Sequence, residues 1–492
     1  MKFSLFVFIT FALIFNLKIS FSQGVNNLWV MGYDCCHPNF YGMNFDFSSG
    51  SLVIDTVNRK MNFSETNGVI CNKNGDVLFY SNGVYVSNAL DDTMVNGSGL
   101  NPCYYTNQHT SLGLTLPQGN LIIPFPEDSM KYYLFHESAD DYFNTYSSFY
   151  LYYSIVDMSL DNGRGAVIQK NSVLLNDTLV EGRITACKHA NGRDWWLVVH
   201  EYNKGNVYKF LITPQGIQPG VKQNTQTLRE NYFGQAVFNP QGNKYAYYEN
   251  IGDLDIFDFN RCTGNFSNRI HIDINDSSTA AGAAFSPNGR YLYVSSENYL
   301  YQYDVLDTNV ALSKKVVGIY DGFISWAPAN FYLAQLAPDE KIYVICGSST
   351  YDIHVINNPD SAGLACDFCQ HCIHLPAFNA FTIPNHPNYF LGPDSNSICD
   401  TLHIDVPSIA STNISYNLFP NPTRNILYIT QDLKEKLNSL RILNSIGQEQ
   451  VVNYTSIKNG YVEVNTSSLS SGIYFLELLT DRQKVVKRFV RE

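Results

Sequence analysis

Through the middle of the chain, apolar residues come in short runs. Each run is followed by a tight polar turn and a second run rich in Tyr, Val and Ile. Val69-Ile70-Cys71 leads through Asn72-Lys73-Asn74-Gly75 to Val77-Leu78-Phe79-Tyr80. Leu114-Thr115-Leu116 leads through Pro117-Gln118-Gly119 to Leu121-Ile122-Ile123, and Ala186-Cys187 through His189-Ala190-Asn191-Gly192 to Trp195-Trp196-Leu197-Val198-Val199. Closer copies open at Ala236-Val237-Phe238, Ala284-Phe285-Ser286 and Leu336-Ala337-Pro338. Proline presets the first corner of such a turn and glycine accepts positive φ at its end, so each unit predicts a hairpin. A third strand follows in several units, as in Asp253-Leu254-Asp255-Ile256-Phe257 and Tyr299-Leu300-Tyr301-Gln302-Tyr303.

The turn positions fall at Gly75, Gly119, Gly192, Gly242 and Gly289, with Glu340 in the sixth slot. A repeat of roughly 40–50 residues carrying several strands is the signature of a β-propeller. The wide interval between Gly119 and Gly192 predicts an insertion around Asp140–Asp161 or a degenerate blade. Six units plus a composite blade from the two ends of the array give seven blades, with six or eight still open. The competing fold, a pair of β-sandwiches, would not need this period. Beyond Ser415 shorter alternating runs, such as Ile426-Leu427-Tyr428-Ile429 and Ile473-Tyr474-Phe475-Leu476, predict a small Ig-like β-sandwich.

Composition supports this all-β reading. Aromatics make up 14% of the 492 residues, and charged residues only 15% against 45% hydrophobic, which supplies a core and opposes disorder. The net charge of −12 is uneven: residues 415–492 carry +3, so the body is strongly acidic. An acidic body repels phosphate backbones, which excludes nucleic acid as the expected partner.

The N-terminus reads as a signal peptide over residues 1–22. Lys2 precedes an apolar stretch from Leu5 to Leu17, too short for a comfortable membrane span, and Lys18 ends it. Ser20 and Ser22 place small residues before a cleavage point between Ser22 and Gln23. No later segment is long and apolar enough to span a bilayer. The expected organisation is signal peptide 1–22, propeller 23–400, linker 401–414 and C-terminal domain 415–492.

Two resemblances sharpen this. Trp29-Val30-Met31-Gly32, Gly42-Met43-Asn44-Phe45-Asp46-Phe47, Asn74-Gly75-Asp76-Val77 and Pro384-Asn385-His386-Pro387-Asn388-Tyr389 make residues 25–402 similar to a family of large secreted propellers of Bacteroidetes, WD40/YVTN-like in fold. That resemblance implies no particular activity, and the chain departs from it at Cys35-Cys36-His37, Cys369 and Cys372. Residues 415–492 resemble the type A sorting domain of the type IX secretion system. The matching residues are Pro420-Asn421-Pro422, Ile446-Gly447, Leu469-Ser470-Ser471-Gly472-Ile473-Tyr474 and the basic Lys484, Lys487 and Arg488. The resemblance implies export through the periplasm and outer membrane by the type IX machinery, removal of the tag by a peptidase, and release or surface attachment.

Candidate chemistry is sparse. Cys366, Cys369 and Cys372, with Cys399 nearby, form the densest cluster of the 11 cysteines. An exported protein meets an oxidising compartment, so disulfides are favoured over free thiols or a zinc site. An iron–sulfur run would continue with cysteine where Pro376 stands. Cys35 and Cys36 are expected to pair elsewhere, since adjacent cysteines bond poorly to each other. His109, His136, His189 and His200 with Glu201 fall on or near strands and could face a channel, though each also reads as a structural residue. Asp253 and Asp255 share a strand face that could touch a cation or simply be solvated. No nucleophile elbow, Ser-His-Asp order, phosphate loop or dinucleotide loop is present. The reading is therefore a binding module for a glycan or protein, with no catalytic residue, metal or cofactor assigned. The alternatives are a hydrolase or lyase acting on an extracellular polymer, and a structural adhesion protein.

Overall fold

The computed structural model describes residues 24–32, 41–108, 111–140, 147–230, 233–395, 397–400, 417–430, 437–444, 448–455, 461–480 and 484–492. The signal segment with its cleavage point at Ser22 and Gln23, Cys35-Cys36-His37, His109, the linker 401–414 and Gly447 lie outside the described residues. The chain divides into two units, 1–401 and 402–492.

In the first unit the marked turns close the innermost hairpins of successive antiparallel sheets. The backbone N–H of Gly75, Gly192, Gly242, Gly289 and Glu340 each donates to the carbonyl three residues back, at 2.8–3.0 Å. Glu340 holds φ +63° in the slot that glycine fills in the other four. That is the left-handed conformation a turn of this kind requires.

Seven blades result among the described residues, with the outer strands of blades 2 and 3 joined into one eight-stranded sheet by the parallel Val95–Ala166 pair. Blade 2 comprises Gly68–Cys71, Val77–Ser81, Tyr85–Asn88 and Thr93–Ser98. Blade 3 comprises Asn120–Phe125, Asp128–Glu137, Ser147–Asp157 and Ala166–Val180. Blade 4 is built on Thr185–Lys188, Trp195–His200, Asn206–Thr213 and Val221–Asn224, and blade 5 on Gly234–Phe238, Lys244–Glu249, Asp253–Asn260 and Asn265–Ile272. Blade 6 follows as Gly282–Phe285, Tyr291–Ser296, Tyr299–Asp304 and Lys315–Ile319, and blade 7 as Phe331–Leu336, Ile342–Cys346, Ser349–Ile356 and Phe368–Ala380. Blade 1 has three strands, Leu28–Gly32, Gly42–Asp46 and Val53–Val57.

Two expectations about the repeat change. Among the described residues the wide interval holds one complete four-stranded blade and no degenerate one. Its extra length lies in the long outer strands of blade 3, Ser147–Asp157 and Ala166–Val180. The turn at Leu116–Gly119 also precedes the inner strand of that blade instead of closing its hairpin. The hairpin closes near Glu127, which takes φ +65°.

Blade 1 shows how the ring closes. Its first strand runs against the direction of the inner strand of blade 2. Gly24 donates to Lys73 beside the 72–75 turn, whereas Val30 accepts from Asn67, at the opposite end of that inner strand. The inner position of blade 1 is taken by the returning chain. Asn385 N–H donates to Asn67 at 3.1 Å, and His386 Nε2 lies 2.9 Å from the Val69 carbonyl, so this segment runs alongside the inner strand of blade 2. Pro384 and Pro387 lack N–H donors, which keeps the segment extended without a regular ladder. Blades 1 and 7 share one core, in which fully buried Trp29 packs 6.0 Å from Tyr343 and 5.0 Å from Phe47. Burying an aromatic of this size contributes about 1.5–3 kcal/mol.

The C-terminal unit has two four-stranded sheets. One contains Asn417–Phe419, Ile426–Thr430, Tyr461–Asn465 and Asn453–Tyr454. The other contains Glu449–Gln450, Leu437–Asn444, Gly472–Thr480 and Lys484–Arg491. Leu427, Ile429, Val462 and Val464 from the first sheet meet Ile442, Leu476 and Phe489 from the second in one core, the arrangement of a small sandwich.

Candidate functional site

Six inner strands and the returning segment around Asn385 surround a central channel, and side-chain amides divide it. Gln118 Nε2 donates to the Ala236 carbonyl at 2.9 Å and its Oε1 accepts from Ala236 N–H at 2.8 Å. Gln235 makes the matching contacts one step on, donating to Ala334 at 2.7 Å and accepting from Ala283 at 2.9 Å. Asn385 donates to the carbonyls of Asn120 and Ile184 at 2.9 and 2.8 Å. These amides reach across the channel, Gln118 from blade 3 to blade 5 and Gln235 from blade 5 to blades 6 and 7, and stand in for backbone partners there.

On the turn side of this layer lies a cavity of about 730 Å³. Phe238, Phe285 and Leu336 line it, Gln118 and Asn385 form its floor, and the segment 385–392 borders it. Its volume suits a small ligand or the end of a polymer. Charge reaches its wall through Lys188 and Glu340. Burial lowers the Lys188 ammonium to about 8, and its Nζ sits 4.3 Å from the Trp195 ring. His386 also lines the cavity, but burial lowers it to about 4 and its Nε2 is engaged by Val69.

Beyond the amide layer, on the side away from the turns, lies a group of buried charged side chains. Arg183 and Arg229 are 2% and 1% exposed, Glu137 is 0%, Glu249 1% and Glu65 9%. Glu137 accepts from Gly182 N–H at 2.7 Å, and Arg183 donates to the Glu181 carbonyl. Arg229 pairs with Asp255, stands 3.7 Å from Glu249 and lies over the Tyr247 ring at 4.1 Å. Burial raises the Glu65 and Glu137 carboxyls to about 8, and the charge of Arg183 opposes that rise. Carboxylates and guanidinium groups do converge here, but side chains this enclosed present no face to a polymer.

Of the histidines singled out from sequence, the three among the described residues are engaged in hydrogen bonds within the fold. His136 hydrogen bonds Asn101 and Ser154, His200 hydrogen bonds Tyr245 at 2.7 Å, and His189 Nε2 meets the Cys262 carbonyl at 3.0 Å. Glu201 bonds Lys204 and Lys222 at 2.8 and 2.9 Å. Asp255 is held by Arg229, Arg269 and His271. Asp253, His271 and Asp273 lie within 4.8 Å of one another, yet both His271 nitrogens already face carboxylates.

The cysteines sort differently from their order in the sequence. Cys369 bonds to Cys372, and Cys399 bonds to Cys262, 137 residues earlier. Cys366 is a free, fully buried thiol packed with Tyr293 and Ile342 between blades 6 and 7, which corrects its grouping with the other three. The outer strand of blade 7 explains the separation. Val355 opposes Cys369 and Ile353 opposes Ile373, so Gln370, His371 and Cys372 bulge outward while Cys366 stays in the short helical turn Gly363–Cys366 beneath.

In the C-terminal unit, the Asn421 side chain accepts from Val490 N–H at 2.9 Å and donates to Arg488 at 3.2 Å. It lies between Pro420 and Pro422, and the next residue, Thr423, also donates to Val490, at 2.8 Å. Gly472 pairs with Arg491 and Leu476 with Lys487, while Tyr474 stacks on Phe489 and donates to Ser470 at 2.9 Å. The first loop of the module is thus read by its last strand, from which Lys487 and Arg488 point to solvent.

No curated protein matches the chain. Among solved structures, it is similar to a protein from Lactobacillus plantarum at 12% identity, covering 72% of this chain and 97% of that one with a TM-score of 0.42. A quinonprotein alcohol dehydrogenase-like protein from Bacteroides thetaiotaomicron shows 10% identity, coverage of 73% and 76%, and a TM-score of 0.36. The β-propeller domain of Cps50 from Myceliophteria thermophila shows 10% identity, coverage of 65% and 90%, and a TM-score of 0.34. At these scores the fold rests on the blade topology itself. Residues 417–492 match the secretion system C-terminal sorting domain. The chain is therefore a β-propeller protein exported by the type IX route to the cell surface or extracellular space, and its C-terminal module is the sorting domain.

Proposed function

We propose that the exported propeller is a non-catalytic binding module that seats an extracellular glycan or protein segment in the turn-side mouth of its channel. The observation that carries this reading is the cavity of about 730 Å³, apolar along Phe238, Phe285 and Leu336, with a single lysine and a single free carboxylate at its wall. A hydrolase or lyase needs an acid and a base within reach of one substrate. The converging carboxylates lie instead buried beyond the Gln118 and Asn385 layer. In this reading residues 1–22 are the signal peptide, cleaved before Gln23, and the sorting domain engages the type IX machinery.

The test is a binding screen of the secreted protein against glycans and whole cells, repeated with Leu336→Trp, which fills the mouth. Binding that Leu336→Trp abolishes, at an unchanged melting temperature, supports the reading. Release of shortened products from a polymer would overturn it in favour of the enzyme.

A further inference from the structure

Blade 7 carries an aromatic surface that the channel site does not use. Between blades 6 and 7 the chain makes a short hairpin in which Ile324 pairs with Pro328 and Ser325 with Ala327. Trp326 forms the tip, 70% exposed, with a left-handed backbone at φ +72°. Glycine or asparagine holds that conformation at less cost than a bulky aromatic. A tryptophan kept there, largely in water, is unfavourable for both backbone and side chain, and inference from such an outlier runs toward function.

The tip is firmly held. The Ser325 hydroxyl donates to Asp352 and accepts from Tyr351 N–H at 3.1 Å. The indole meets buried Phe378 edge-on at 5.5 Å, Phe378 packs on Tyr351 at 3.8 Å, and Tyr351 lies 6.3 Å from the His374 ring. His374 Nδ1 bonds Asp352 at 2.8 Å, and its side chain is 76% exposed. Phe323, at the foot of the hairpin, is 38% exposed and stacks on His371 at 4.1 Å. Ser325, Asp352 and His374 are the residue types of a hydrolytic triad in the wrong order. The carboxylate sits in the middle and no base reaches the hydroxyl, so the trio positions the surface and does not activate a nucleophile.

We propose that this surface is a carbohydrate platform, on which a pyranose ring of a neutral polysaccharide stacks against Trp326 while its hydroxyls meet His374 and Tyr351. A sugar has an apolar C–H face and a polar rim. The platform offers a rigid aromatic face beside an imidazole that Asp352 orients, with little rotamer freedom left to lose on binding. The net charge of −12 disfavours uronate-rich or sulfated chains, which selects neutral ones. The platform rests on the binding-module reading but uses a different part of the molecule from the channel mouth.

The experiment is a microarray of neutral glucan, mannan and xylan oligosaccharides, with pectate and alginate fragments as acidic controls. It is probed with the secreted protein and with Trp326→Ala, His374→Ala and Leu336→Trp. The expected result is binding to a neutral class that Trp326→Ala weakens at least tenfold and His374→Ala severalfold. The melting temperature of Trp326→Ala should match the parent, because the side chain is exposed. Loss of binding in Leu336→Trp alone would overturn the platform and leave the binding module standing. The platform is also overturned by preference for the acidic fragments, by no neutral binding at all, or by a Trp326-dependent protein partner without glycan binding.

Discussion

Gln118 and Ala236 lie 118 residues apart, yet the side-chain amide of the first exchanges two hydrogen bonds with the backbone of the second, at 2.9 and 2.8 Å. The geometry is that of a β-ladder step in which one strand is replaced by a side chain. Gln118 Nε2 also reaches Asn385 Oδ1 at 3.1 Å, so one amide joins blades 3 and 5 to the returning chain.

Removing that amide should be expensive. Gln118→Ala leaves the Ala236 N–H and C=O buried without partners, and each such group costs roughly 1–3 kcal/mol. The expected loss is about 2–4 kcal/mol in urea unfolding of the propeller. Gln118→Glu should be at least as damaging, because it sets an oxygen against the Ala236 carbonyl. A change below about 0.5 kcal/mol for Gln118→Ala, the range of ordinary surface substitutions, would contradict the bridging role.

Much of the fold was legible because turn chemistry is local. Positive φ near Gly192, Gly242 and Gly289 can be read from Asn-Gly and Gln-Gly alone, and their even spacing gave the blades. Glu340 fitted only by spacing, since nothing about glutamate announces φ +63°. Gly119 misled because Pro-Gln-Gly makes an equally good turn just before an inner strand. The amide layer was not legible. Gln118 looked like turn filler and Gln235 like an ordinary strand residue, and only assembly of the ring gives them partners on distant strands. Cys262–Cys399 was hidden for the same reason. Trp326 left no sequence signal, because its exposure depends on a hairpin that lies between the repeats.

The Cys262–Cys399 disulfide fastens the end of the propeller to the loop that follows Asn260 in blade 5. Arg261 beside it donates to the Lys188 and Gly392 carbonyls, so bond and guanidinium anchor the same returning segment. Chain-entropy reasoning for a loop of 137 residues gives up to about 5 kcal/mol of stabilisation. Cys262→Ser with Cys399→Ser should therefore lower stability by several kcal/mol in denaturant titration. Reductant should destabilise the parent much more than this double variant. Equal sensitivity of the two proteins would place the effect of reductant elsewhere.

Stability should also vary with pH on both sides of a maximum. Burial lowers His136 and His354 to about 3 and His386 to about 4, against 6.5 for an ordinary imidazole. They stay neutral in the fold while the unfolded chain takes up protons. Their contribution is full above about pH 6.5 and is lost as pH falls toward those lower values. Glu65 and Glu137 act in the other sense. Raised from 4.5 to about 8, they contribute fully below about pH 4.5 and lose that contribution as pH rises through about 8. Thermal melts across pH 4–9 should give a dome peaking between roughly pH 5 and 6.5. Glu65→Gln and Glu137→Gln should flatten the alkaline limb and steepen the acid limb above about pH 4.5. An unchanged alkaline limb in both variants would show that these carboxyls are already ionised in the fold.

The sorting domain gives the last prediction, because its two ends are held by one side chain. Asn421 accepts from Val490 N–H and donates to the Arg488 carbonyl, so the opening loop is fixed to the strand that carries the exposed Lys487 and Arg488. Deleting residues 415–492 should leave a folded propeller in the periplasm, detectable by cell fractionation, with none on the surface or in the medium. Asn421→Ala removes both bonds without touching the core around Ile442, Leu476 and Phe489, so it should destabilise the module by about 1–2 kcal/mol. If export needs the loop and the last strand in register, Asn421→Ala should slow secretion, while Lys487→Ala, which breaks no hydrogen bond of the fold, separates charge from geometry. Normal secretion of the truncated protein would overturn the sorting role altogether. Normal secretion of Asn421→Ala with a defect in Lys487→Ala would instead assign recognition to the basic strand and leave Asn421 a purely structural duty.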